Sequence, residues 1–492
     1  MRNTVRTLLL IGAACTLIAA APTPPADRLL PARDSAAIYS PVALPGTPDA
    51  DAIKKAGYVQ EEYLFSGIGN IYEAGPDGRA TVQKSGIAYT TRAIVVRPRD
   101  RKKYSGVVQF AFTHPQFGSN QWTRSGPHVL RSGDMYVMLV VGGDPGTRQR
   151  SKPGAPVATP LVLPWFDAQR YKDFVWTDDG IRWDAIGQTI IKLRTGKLPA
   201  ALKPFTAKKL YVSGWSYLGS IQRSYINWGF HDIHRLPDGK PAVDGYLIGI
   251  SSNAVKAGFG PINMDKDEMP PADQRMLRTI DVPVIELMSE NEARTNTTPQ
   301  RPDVDSYKGG HRLYELGGTS HQDTGLPAKQ GPWEVQLAAK GNVAWQPGPT
   351  CATPETDVPM RDLAEGAMTN LKLWHDKGMA PPRAARMEIA EQGKAAVDQY
   401  GIAKGGVRPV QLALPLARYG DAGDCNGTIR FQILRRIAFD KTQVQAAYPA
   451  GKADYLIRVR AYLDKMVADR WLVKTDADAQ YARITGYADA AF

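Results

Sequence analysis

Val212-Ser213-Gly214-Trp215-Ser216-Tyr217-Leu218-Gly219 follows the apolar residues Leu210 and Tyr211 and reads as a strand that turns sharply at a serine into a helix over 220–228. In a nucleophile elbow the turn is tight and strained, so small residues flank the serine and its hydroxyl projects above the sheet edge. The helix that follows aims backbone N–H groups at the same spot, which favours a developing oxyanion. Gly214 stands two before Ser216, as an elbow requires. Gly219 comes three after it, and Leu218 fills the usual small position, giving G-x-S-x-x-G. The same pattern suits a helix N-cap serine, so the functional reading needs partners for Ser216 elsewhere in the chain.

Around this stretch, apolar runs of strand length recur at 89–96, 106–112, 135–141, 209–212, 243–250, 282–288 and 311–316. Several are continuous rather than alternating, as in strands buried on both faces of a sheet. Helical patterns at 183–193, 220–228 and 272–278 lie between them. Strand-helix alternation with right-handed crossovers implies an α/β fold with a mostly parallel, doubly wound sheet. Two long connections predict lid or pocket-wall insertions. One spans 142–180 and carries Trp165 and Phe166; the other follows Ile250 and carries Phe259, Pro261, Pro270 and Pro271.

The ends differ in texture from this core. Residues 1–20 combine Arg2 and Arg6 with an apolar run and small residues, which reads as a secretory signal cleaved after Ala20. A lipid anchor at Cys15 is the lesser reading, because Gly12 stands where a lipobox prefers Leu. Residues 21–56 form a Pro/Ala-rich leader, 57–335 the core, and 336–492 an α+β extension packed on it. The extension is expected to hold a helix over 360–377, short strands and turns over 385–440, and one long amphipathic helix over 453–473. With Cys15 removed, Cys351 and Cys425 remain, an even pair that suggests one disulfide in an exported chain.

The chain has 492 residues, 61 Lys+Arg against 49 Asp+Glu, and 43% hydrophobic content. Loss of Arg2 and Arg6 lowers the net charge from +12 to +10. The basic residues are scattered, apart from Arg97-Pro98-Arg99-Asp100-Arg101-Lys102-Lys103, which looks like a solvated hairpin. No zinc-finger spacing or aromatic-basic repeat occurs, which argues against nucleic acid as a partner. Beyond the signal, no stretch approaches the ~18 apolar residues of a membrane span.

A serine nucleophile needs a base within hydrogen-bond reach and an acid that orients the base. Behind an elbow the chain order is Ser, then acid, then His. Of the seven histidines, only His321 sits in a flexible loop just after the last core strand, in Leu316-Gly317-Gly318-Thr319-Ser320-His321. His311 opens a strand and reads as structural, while His231 and His234 read as capping or solvated. The acid belongs just past the penultimate strand, where Ser289-Glu290-Asn291-Glu292 offers two candidates. Glu292 has the usual spacing, with Glu290 close behind.

The chain resembles a family of secreted bacterial alpha/beta-hydrolase-domain proteins, over nearly its whole length. The resemblance rests on Trp183-Asp184-Ala185-Ile186-Gly187-Gln188, the elbow through Val243-Asp244-Gly245-Tyr246, residues His311 to His321, and Gly405-Gly406-Val407-Arg408. It implies an alpha/beta-hydrolase fold with Ser216 as nucleophile, His321 as base, and the acid within Glu290-Asn291-Glu292. Two departures stand out. The elbow has Ser216-Tyr217-Leu218-Gly219 where the family carries smaller residues, which would narrow the pocket. The oxyanion loop is Thr113-His114-Pro115-Gln116-Phe117-Gly118 rather than Asn/Gly-rich. By the logic of the fold one oxyanion donor is the Tyr217 N–H and the other comes from this loop, with Gln116 as candidate. His114 is a second possibility there.

These observations point to a secreted or periplasmic serine hydrolase that cleaves a small-molecule ester with no metal or organic cofactor. Trp122, Trp165, Phe166 and Phe259 are candidates for lining its pocket. An amidase or peptidase would use the same triad, and a non-catalytic envelope binding protein could retain the scaffold.

Overall fold

The computed structural model describes residues 23–33, 37–114, 121–142, 162–251, 262, 276–296, 300–321, 336, 339, 352–420 and 434–492. Nine strands among them form one sheet: β1 (Arg28–Leu29), β2 (Tyr58–Ala74), β3 (Ala80–Pro98), β4 (Val107–Thr113), β5 (Met135–Val140), β6 (Lys209–Trp215), β7 (Gly245–Gly249), β8 (Val284–Ser289) and β9 (His311–Leu316). They lie in the order β1-β2-β3-β5-β4-β6-β7-β8-β9. Pairing is antiparallel from β1 to β5. From β5 through β9 every pair is parallel.

The parallel half is buried on both faces, which is why its strands are apolar throughout rather than alternating. Every residue of β4 and β5 is buried. On β6 the side chains divide by parity. Leu210 and Val212 join a core with Trp183, Ile186, Ile190, Leu218 and Ile221, from the helices Arg182–Thr195 and Tyr217–Asn227. Tyr211 and Trp215 point the other way, into a core with Leu363, Ala367, Leu371 and Trp374 of the helix Met360–Lys377. The helical residues of that second core come from beyond residue 335, and the helix Trp122–Ser132 packs beside them, its Arg131 paired with Glu365 and its Arg124 over the Trp215 ring.

Strand order reverses its growth at β4. β5 lies on one side of it and β6 on the other, so the carboxyl ends of β4 and β6 flank a topological switch point, where open α/β sheets bind ligands. Thr113 ends β4 and Ser216 follows β6.

The predicted strands are all present, with ends shifted by three residues or fewer, except that β3 begins nine residues before the expected 89. Other expectations change. The expected single helix over 453–473 is two, Gly451–Ala468 and Lys474–Ala491, broken where Arg470 adopts φ 66°. The turn passes so close to Gly366 that a Cβ there would lie 2.2 Å from the Trp471 carbonyl oxygen. Arg97–Lys103 is no hairpin, because β3 and β4 are not neighbours. Arg97 pairs with Glu61 and covers the Phe205 ring at 4.5 Å, and Arg101–Lys103 form a short 3-10 turn. Residues 276–278 of the expected helix 272–278 are not helical, and 272–275 lie outside the described residues. The leader is built into the structure: Arg28–Leu29 pairs with β2, and the Arg92 guanidinium donates to the Tyr39 carbonyl. Residues 1–20, Cys351 and Cys425 also lie outside the described residues.

Candidate active site

Ser216 takes φ 55° and ψ −123°, a region that costs a non-glycine residue on the order of 1–3 kcal/mol. Its N–H donates to the Gly249 carbonyl at 2.9 Å, and its own carbonyl accepts from the Ser220 N–H at 3.0 Å, starting the helix. A Cβ on Gly214 would lie 2.7 Å from the Leu218 carbonyl oxygen, and one on Gly219 would lie 2.7 Å from Ser251 Cβ. Both glycines are therefore sterically required. Leu218 is fully buried in the core rather than turned toward the pocket, so its size does not narrow the site.

Around this serine two predicted residues converge. Ser216 Oγ lies 2.8 Å from His321 Nε2, and His321 Nδ1 lies 2.5 Å from Glu292 Oε1. With Nδ1 facing a carboxylate, the ring proton belongs there, leaving Nε2 to accept from the serine hydroxyl. The pair is mostly sheltered, with the His321 side chain 26% exposed and Glu292 9%. The other oxygen of Glu292 accepts from the buried Ser289 hydroxyl. Ser289 has no role among the residues expected from sequence. Its hydroxyl, three residues before the acid in a helical turn, was the available signal for a second-side donor.

Glu290 does a different job. Its Oε2 accepts the Gly318 N–H at 2.9 Å, fixing the glycine turn that leads to His321. Burial raises its carboxyl above the ordinary range, against the lowering effects of that N–H and of Arg294. The two glutamates thus divide between ring and backbone.

At the opposite lip, the His114 ring lies 5.1 Å from the Tyr217 ring. Burial pushes its imidazole down to about 4, so it is neutral at pH 7. Gln116 lies outside the described residues. Tyr217 is the first residue of the helix, so its N–H lies in the first turn, beside Ser216.

The remaining candidates fall elsewhere. Trp122 is a core residue buried against Tyr136, and Phe166, half-buried, packs on Tyr39 at the edge of a core. Phe259 lies outside the described residues, as does the side chain of Trp165. His231 and His234 are buried rather than solvated, because each ring bridges a tyrosine hydroxyl and a carboxylate. His231 joins Tyr246 to Asp281, and His234 joins Tyr225 to Asp184. His311 is structural as expected, buried at 2.8 Å from Glu286. Among the described residues no cluster of three or more His, Cys, Asp or Glu could hold a metal ion. No described helix is long and apolar enough to cross a membrane.

The alpha/beta hydrolase domain matches this chain over residues 22–482. The chain belongs to that family. No curated protein matches it. Among solved structures it is similar to brefeldin A esterase, a bacterial homologue of human hormone sensitive lipase, at 12% identity and a TM-score of 0.21, covering 44% of this chain and 45% of that one. Fungal esterases from Rhizomucor miehei match at 9% identity and 0.21, over 44% and 49%. The rice cell wall degrading esterase LipA from Xanthomonas oryzae matches at 9% and 0.21, over 41% and 46%. The chain thus spans less than half the length of the first of these. At such scores the likeness says nothing of chemistry. The alpha/beta hydrolase assignment rests on the family match and on the sheet.

Proposed function

We propose that this alpha/beta hydrolase is an exported serine hydrolase that cleaves a carboxylic ester of a small molecule through an acyl-enzyme. The observation that carries this reading is the continuous contact from Ser216 Oγ through His321 to Glu292. Ser216 Oγ attacks the ester carbonyl carbon while His321 Nε2 takes its proton. Collapse of the tetrahedral intermediate expels the alcohol, which leaves with that proton. Water then attacks the acyl-serine, its proton passes to His321, and Ser216 is released with the acid product. Glu292 stabilises the imidazolium at each stage. The Tyr217 N–H is one oxyanion donor, and the loop after Thr113 supplies the second, a contribution worth ~3 kcal/mol of barrier.

Purified protein treated with a fluorophosphonate probe should carry the label on Ser216, and Ser216→Ala should abolish it. The wild type should hydrolyse p-nitrophenyl acetate. No label and no turnover would defeat the reading. Export rests on residues 1–20 and fits a Cys351–Cys425 bridge. A mature chain beginning at Ala21, with those two cysteines joined in non-reducing peptide maps, is the expected result; an unprocessed chain with two alkylatable thiols would refute both.

A further inference from the structure

We infer that Arg223, Glu286 and His311 form a buried brace that sets the alignment of Ser216 with His321, making them positioning residues for the proposed hydrolysis, on which this inference rests. Each lies on a different element of the site. Arg223 is on the helix that Ser216 begins. Glu286 is in β8, which runs directly into the turn carrying Glu292. His311 opens β9, which runs into the Gly317-Gly318 turn before His321.

Glu286 joins the three. Its Oε2 accepts from an Arg223 Nη, and its Oε1 lies 2.8 Å from His311 Nε2. Burial pushes the His311 imidazole down to about 3, and its Nε2 faces this carboxylate while its Nδ1 lies 3.2 Å from the Pro302 carbonyl oxygen. Arg223 Nε donates to the Ser251 carbonyl at 2.8 Å. The Ser251 and Ser220 hydroxyls lie 3.0 Å apart, and Ser220 Oγ reaches the Ser216 carbonyl at 3.4 Å. A hydrogen-bonded path thus runs from the nucleophile's own backbone to the strand that feeds the base. All three brace residues are at most 4% exposed.

Stability alone does not explain such a group. A buried ion pair is often matched or bettered by apolar residues of similar volume. Apolar packing already holds this helix to the sheet through Leu218, Ile221 and Ile226. Packing leaves a helix some freedom to slide or roll, whereas a guanidinium gripping both a carboxylate and a carbonyl does not. Displacement of a reacting group by about 1 Å can cost on the order of a hundredfold in rate.

The test uses the full chain, with R223M/E286L to remove both charges together and Glu286→Gln to keep the shape. Each is first checked for folding by far-UV circular dichroism and Tm. Then kcat and KM on p-nitrophenyl acetate and the second-order rate of fluorophosphonate labelling are measured. The brace predicts a folded double variant with KM within twofold of wild type and both kcat and labelling rate down at least tenfold. Glu286→Gln, which retains an oxygen acceptor, should lose less, and Arg223→Lys should recover part of the double variant's loss. A folded variant of either kind with kcat and labelling within twofold of wild type overturns the brace while the hydrolase reading stands. A wild type that neither labels nor turns over defeats the hydrolase reading and the brace with it.

Discussion

Replacing Glu292 and Glu290 separately by glutamine tests the division of labour between them. The Ser289 hydroxyl donates to Glu292 Oε2, so in Glu292→Gln the amide oxygen is drawn to that side and the NH2 faces His321 Nδ1. A donor there forces the ring proton onto Nε2, which can then no longer accept from Ser216. Loss of the correct tautomer in a triad lowers kcat by about 10^4, equivalent to ~5.5 kcal/mol of barrier. If instead the amide turns its oxygen to the ring, only the charge is lost, and the cost is about tenfold. Glu290→Gln behaves differently. Burial already favours the uncharged carboxyl, and the amide oxygen can still accept the Gly318 N–H. We expect kcat within about threefold of wild type there. Steady-state hydrolysis of p-nitrophenyl acetate at pH 8, with circular dichroism to confirm folding, reads both variants. Equal losses in the two variants, or a Glu292→Gln enzyme that keeps more than a tenth of wild-type kcat, would refute the assignment of Glu292 as the orienting acid.

Two further outcomes follow from the packing. Glu365 and Asp476 meet where the helix Lys474–Ala491 docks on Met360–Lys377, and burial raises both carboxyls, that of Glu365 to about 7 with help from the Asp476 charge and that of Asp476 with help from the Asp362 charge. The folded chain then holds protons that the unfolded chain releases above pH ~4, so this junction loses stability as pH rises from about 4 to about 7. Glu365→Gln should therefore raise Tm relative to wild type more at pH 8 than at pH 5; an equal difference at both would refute the sign. Gly219→Ala places a Cβ 2.7 Å from Ser251 Cβ and 3.0 Å from the Gly249 carbonyl oxygen. It should cost ~1–3 kcal/mol in denaturant unfolding and slow probe labelling of Ser216, and a variant with wild-type stability and labelling would show that the elbow has room.

Much of the site was legible because its residues sit at strand ends, where chain order and spacing survive without coordinates. The strands β4 to β9 announce themselves as apolar runs, and Ser216, Glu292 and His321 follow three of them. What sequence concealed was decided by contacts between distant segments. β2 carries Glu61, Glu62, Gly67 and Gly69 within its span, so its local pattern is weak, and it is held instead by sixteen aligned residues of β3. The helix break at Arg470 has no glycine or proline to mark it; the space beside Gly366 on another helix admits the turn. His231 and His234 looked like surface residues because their carboxylates, Asp281 and Asp184, stand fifty residues away in each case.

The shifted elbow glycine and the strained serine have one cause. Ser216 remains at φ 55° only because its neighbours leave no alternative, since such backbone strain persists where surrounding structure over-determines it. The helix it starts must approach β7 closely enough for the Ser216 N–H to reach the Gly249 carbonyl. The point of closest approach falls at residue 219, where a Cβ would strike both Ser251 and Gly249. Residue 218, one step earlier, is rotated about 100° around the helix axis and faces the opposite core with Ile221 and Val212. A small residue at 218 would therefore relieve no contact and would forfeit buried apolar surface. A large one at 219 would push the helix from β7 and let the serine relax. G-x-S-x-x-G is thus the spacing that this helix orientation demands, and the hydroxyl is presented to His321 by the same crowding that excludes a side chain at 219.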